Sequence, residues 1–163
     1  MTVYHGSVYE IPNPDVSKAK RRLDFGPAFY LTSYKRQAEK WALRKASRTL
    51  MKPIVNVYDL SDDLSAFRVK DFSAADGEWL DFVCACRHGK SPIRQCDIIR
   101  GRVANDDVFK TIDAYLRGNL TREEALSELS YAKPNDQIAI NKAKAIAALL
   151  TFKRSYVVKE KKR

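Results

Sequence analysis

The chain has 163 residues, 45% of them hydrophobic, enough for one ordinary domain spanning 1–163 with a real core. Its net charge of +10 favours an anionic partner and says nothing about the fold. No run of about eighteen apolar residues is present, the N-terminus lacks the basic-then-apolar order of a secretory signal, and an odd count of three cysteines argues against a disulfide framework; a membrane protein and a disulfide scaffold are set aside, and a reducing cytoplasm is the expected home.

In chain order, residues 3–7 read as a short strand that stops at a glycine. Residues 10–20 carry Pro12 and Pro14, so they form neither a regular helix nor a central strand. Lys18, Lys20, Arg21 and Arg22 make this loop positive. Phe25-Gly26-Pro27 signals a turn, and the aromatic run 28–31 after it reads as a buried strand. Ser33 is placed to cap a helix to about residue 50, on which Ala38, Trp41, Ala42 and Ala46 form one core-facing stripe. Arg36, Lys40, Arg44 and Arg48 sit four apart on that helix and align on one face, where like charges repel slightly until an anionic partner covers them. They are the candidate target or partner surface, and a solvated helix face is the plain alternative.

Residues 54–60 read as a strand with 66–72 as its neighbour, and Trp79, Phe82, Val83 and Cys86 mark a helix over 76–87. A strand over 97–103 is followed by a helix capped by Asn105 and stopped at Gly118. Thr121-Arg122-Glu123-Glu124 is a capping box opening a second short helix. After a turn at Pro134-Asn135, residues 136–140 alternate like a strand, 142–148 form an alanine-rich helix, and 150–158 a last strand before a charged tail. Helices and strands mix without regular alternation, so the fold class is α+β.

Three constellations carry possible chemistry. Asp24-Phe25-Gly26 matches the magnesium-holding tripeptide of kinases, but no glycine-rich loop, catalytic Asp loop or strand lysine accompanies it. Cys84, Cys86, His88 and Cys96 suggest zinc, yet on a helix Cys84 and His88 share a face that Cys86 does not, so no metal is expected. The third is His5-Gly6, Tyr30 and Gln137, each in or at the end of a short strand. Taken singly, these read as a satisfied histidine, a core tyrosine and a solvent-facing glutamine.

Together they carry more. Tyr4-His5-Gly6-Ser7, then Asp24 through Thr32, then Gln37-Ala38 with Trp41-Ala42, then Asp97 through Ala104, and finally Asn135-Asp136-Gln137-Ile138 follow in order along nearly the whole chain. On these segments the chain resembles the diphtheria-toxin-type ADP-ribosyltransferase superfamily, whose sites use a His, a Tyr and a Glu from separate strands. More narrowly, it resembles a bacterial toxin family of toxin–antitoxin gene pairs in which Gln stands at the third position. The resemblance implies an ADP-ribosyltransferase-like fold with mixed and antiparallel sheets and flanking helices. It implies NAD as substrate, an antitoxin as partner, and a macromolecular acceptor, nucleic acid or protein. By the same resemblance His5 holds the adenosine ribose, Gly6 brings its backbone to the nicotinamide amide, and Tyr30 stacks on the nicotinamide. Ser7, Thr32 and Ser33 complete the cofactor-binding set, and Gln137 takes the place of the Glu. Ala28 departs from the pattern where a second glycine is expected. Gln137 departs further, because an amide is neither a general base nor a full negative charge. Asp136 should face away from Gln137 in a strand, and Asp97 or Asp106 remain as assisting acids. Two other readings stay open: a catalytically weak basic module that binds nucleic acid, and a plain NAD glycohydrolase.

Overall fold

Short apolar runs too brief for helices become the strands of two small sheets. The computed structural model describes residues 1–20, 22–90, 95–101, 106–130 and 135–159, and only the backbone of Asp106 and Asp107. Chain order runs β1 (Thr2–Ser7), β2 (Phe29–Leu31), α1 (Lys35–Thr49), β3 (Ile54–Leu60), β4 (Val69–Asp71) and α2 (Gly77–Arg87). It continues with β5 (Ile98–Gly101), α3 (Asp106–Leu116), α4 (Arg122–Ser130), β6 (Gln137–Ile140), α5 (Ala143–Leu149) and β7 (Leu150–Val157). The expected cap at Asn105, the strand end at 102–103, Arg21, Pro134 and the tail from 160 lie outside the described residues.

One sheet is antiparallel in the order β1-β3-β7; the other, in the order β2-β6-β5-β4, is antiparallel except for its β4–β5 pair. Because side chains alternate along a strand, each sheet offers two faces. Val3, Tyr58 and Leu60 of the first sheet meet Phe29, Leu31, Ile98, Ile138 and Ile140 of the second in one shared core, closed by Ala145, Ile146 and Leu149 of α5. The second sheet's other face, with Ile99 and Ala139, packs on Trp79, Leu80 and Val83 of α2, Ile112 of α3 and Leu129 of α4. Helix α1 lies on the outer face of the first sheet, Ala38 and Ala42 against Val55 and Val57. The result is an α+β protein layered helix, sheet, sheet, helices. Among the described residues no helix is long and apolar enough to cross a membrane.

The alanine stripe lets α1 approach β1 until backbones nearly touch. A Cβ built on Gly6 would sit 2.2 Å from the Ala38 carbonyl oxygen and 2.8 Å from the Ala42 nitrogen. Neither backbone atom can rotate away, so Gly6→Ala is expected to cost about 3 kcal/mol. A urea melt with a lowered midpoint and unchanged slope would show it.

Three expectations change. Ser33 does not cap α1: Tyr34 stands at that position with no side-chain cap, and the Thr32 hydroxyl accepts from its N–H at 3.0 Å. The 66–72 segment does not neighbour β3; it forms β4, parallel to β5 in the other sheet, because strand pairing is a long-range choice that local alternation does not encode. Gln137 does not face solvent, since β6 is covered on both faces and all four of its residues are buried. The capping box, by contrast, is reciprocal: Glu124 accepts from the Thr121 N–H at 2.7 Å and Thr121 accepts from the Glu124 N–H at 3.2 Å.

Candidate functional site

The two sheets are stitched at one point. Tyr4 and Thr32 exchange backbone bonds of 2.8 and 3.0 Å, with no further β1–β2 ladder beyond them among the described residues. Tyr4 therefore turns its N–H and C=O away from β3, and by the alternation of an antiparallel strand Gly6, two residues on, does the same. Its carbonyl accepts a bond of 2.6 Å from the Lys45 ammonium.

Between them, His5 reaches across the junction: its Nδ1 lies 2.6 Å from the Tyr30 carbonyl oxygen. A carbonyl only accepts, so Nδ1 carries the proton and Nε2 keeps its lone pair. The ring stacks on Phe29 at 4.5 Å between centroids. Burial, with the Lys45 charge adding to it, pushes the imidazole down to about 3 despite the bond to Tyr30. Since the folded value lies below the ordinary 6.5, the contribution of His5 to stability is complete above 6.5 and is lost as pH falls toward about 3. Wild type should therefore lose stability more steeply than His5→Gln across that window, and the ring's NMR resonances should show no step near pH 6.5.

Tyr30 has no hydroxyl to offer. Its O–H donates to the Gly26 carbonyl at 2.5 Å and accepts from the Phe25 N–H at 3.1 Å. Burial, then the Asp24 charge, raises the phenol well above its ordinary range, so the half-buried ring acts by its face. Gly26, at φ 68°, closes that turn where a side chain would be strained. The turn is anchored from a distance: Arg87 donates from Nε and Nη2 to one Asp24 oxygen, at 2.8 and 2.6 Å, and lays its guanidinium over Phe109 at 4.0 Å.

Gln137 opens β6 opposite Gly101 and shares a sheet face with Ala139 and hence with Tyr30. It is 4% exposed, and its buried Nε2 has no hydrogen-bond partner among the described residues. Asp136, just before the strand, turns to the β2–α1 corner, where its carboxylate accepts from the Thr32 hydroxyl at 2.5 Å and the Ser33 N–H at 2.8 Å. The Gln37 amide donates to the Asp136 carbonyl at 2.8 Å.

The expected residues thus fall into groups. His5 and Gly6 meet the backbone of Tyr30, not its ring, at the junction. The imidazole lies on the inter-sheet side with Phe29, while the phenol and the Gln137 amide lie on the helix-covered side. Thr32 is fully buried and bonded to Asp136, and the buried Ser7 hydroxyl accepts from the Tyr9 N–H at 3.3 Å. Asp97 is held by both arms of Arg68, and the Asp106 side chain lies outside the described residues. Arg36, Lys40, Arg44 and Arg48 are all exposed along α1. A cavity of about 510 Å³ lies beside Gln137, lined by Phe72, Ser73, Gly101, Asn135, Asp136 and the Arg100–Asp71 ion pair. Cys86 packs in the α2 core, where burial pushes its thiol up to about 12.

Sequence reasoning missed Lys45, Arg87 and the carboxylate of Asp136. The only available signal was position, Lys45 being one turn past the stripe residues Ala38 and Ala42 that cover Gly6.

Fold and junction together define an α+β protein with a histidine and a bare glycine set against a tyrosine's backbone where two sheets part. Over residues 1–152 the chain matches DUF3990, described as a protein of unknown function, and it belongs to that family. No curated protein matches it.

Proposed function

We propose that the chain has an ADP-ribosyltransferase-like fold and is a mono-ADP-ribosyltransferase, the toxin of a toxin–antitoxin pair working in the cytoplasm on NAD. The observation that carries the reading is the 2.6 Å bond from His5 to the Tyr30 carbonyl. It sets the proton on Nδ1, and with burial and the Lys45 charge keeping the ring neutral, Nε2 is left as an acceptor beside the outward-turned backbone of Gly6. Such a nitrogen suits a ribose hydroxyl donor, and a Tyr30 ring locked by two hydroxyl bonds suits a flat nicotinamide.

The reaction breaks the bond between the nicotinamide nitrogen and ribose C1′. Nicotinamide leaves with the bonding pair, C1′ becomes oxocarbenium-like, and a nucleophile on the acceptor bonds to C1′ and releases its proton to water. Gln137 supplies a dipole toward that charge and takes no proton. The exposed row on α1 suits an anionic acceptor or an acidic antitoxin. The same row, with an amide where an acid is needed, favours a second reading, a basic nucleic-acid-binding module without transfer. NAD cleavage without transfer would make the chain an NAD glycohydrolase.

Purified protein, labelled NAD and cell lysate should yield a labelled macromolecule and free nicotinamide, with nuclease and protease digestion identifying the acceptor class. Absence of transfer, of nicotinamide release and of NAD binding together would end the proposal.

A further inference from the structure

Lys45 is the α1 cation that bonds to Gly6. Arg36, Lys40, Arg44 and Arg48 are exposed along the helix; Lys45 is exposed too, but its ammonium turns to the Gly6 carbonyl at 2.6 Å. A surface lysine ordinarily carries its head out to water. Desolvation of the ammonium, then the positive charge of Lys20 from the loop before β2, lowers the Lys45 pKa. Neither lysine has a carboxylate partner among the described residues, while Lys18 in the same loop pairs with Asp15. An ammonium held on a backbone carbonyl with no carboxylate to neutralise it is available to an anion. His5 cannot serve there, because its one free nitrogen only accepts.

We infer that Lys45, assisted by Lys20, binds the diphosphate of the dinucleotide, and that without substrate Lys45 rests on the Gly6 carbonyl, which the substrate carboxamide takes over. This rests on the NAD reading above. The exchange balances in hydrogen bonds: the carbonyl trades an ammonium donor for an amide N–H donor, and the released ammonium gains charged oxygens. Diphosphate oxygens only accept and cannot bond the carbonyl themselves, so the two halves of the ligand need different partners. Lys45 links them.

The test compares NAD, ADP-ribose and nicotinamide by calorimetry on wild type, Lys45→Met, Lys45→Arg and Lys20→Met. Lys45→Met should weaken NAD and ADP-ribose about tenfold, the loss of one charge-assisted contact, while nicotinamide binds as well as before or more tightly. Lys45→Arg should restore most of the ADP-ribose affinity, and Lys20→Met should weaken ADP-ribose to a smaller extent. Equal changes for ADP-ribose and nicotinamide, or no change for either in a wild type that binds NAD, would overturn the Lys45 assignment and leave the NAD reading standing. A wild type that binds none of the three overturns both. Unchanged thermal unfolding of Lys45→Met would show that the readout is binding rather than folding.

Discussion

His5→Ala is expected to lower NAD consumption about a hundredfold or more, the usual scale for removing one preorganised polar contact at a reacting centre. The loss has two parts. The Nε2 acceptor proposed to hold the ribose disappears, and the Tyr30 carbonyl loses its 2.6 Å donor, so the junction between β1 and β2 slackens. The second part is structural and should appear as about 1–2 kcal/mol of stability, from one hydrogen bond and the Phe29 stack. Only the first part separates kinetics from folding: at temperatures where both proteins are fully folded, the defect in turnover should persist. Expression of wild type beside His5→Ala, scoring growth and NAD together, is the direct comparison. Undiminished growth arrest by His5→Ala with intact NAD pools would favour the nucleic-acid-binding module, whose affinity should fall steeply with salt.

Local pattern carried the elements, and long-range contacts carried the site. The alanine stripe of α1, the aromatic run of β2 and the capping box of α4 each depend on neighbours within a few residues, so spacing alone reveals them. The α1 cap is different, because the groups at that corner are fixed by Asp136, about a hundred residues away. Nor can alternation in 136–140 show that helices cover one face of β6 and a second sheet the other. Lys45 lies outside the aligned row of cations, and only the way α1 crosses β1 turns it onto Gly6. The motif around Asp24 to Tyr30 was visible as a run of residues, but its anchor on Arg87 was not, since the two partners are 63 positions apart.

That anchor sets a stability effect as large as that expected for Gly6→Ala. Arg87→Met is expected to cost about 3 kcal/mol, within the range for breaking a buried ion pair by removing one partner. The side chains of the pair are only 9% and 13% exposed, so water cannot replace the lost guanidinium. Asp24 would be left as an uncompensated carboxylate beside the Tyr30 hydroxyl, and the Phe109 ring would lose the cation stacked on it. Most of the cost is therefore stranded charge rather than the worth of the bond, and that distinction is measurable. Asp24→Asn with Arg87→Met removes both charges, so the double variant should be destabilised by clearly less than the sum of the two single variants. Additive losses in urea melts would mean that Asp24 and Arg87 act separately, and the turn at Phe25-Gly26 would then owe its shape to Gly26 and the Tyr30 hydroxyl alone. If the pair does act as one unit, Arg87→Met should also impair NAD cleavage under folding conditions, because the turn it holds is what keeps the Tyr30 ring in place.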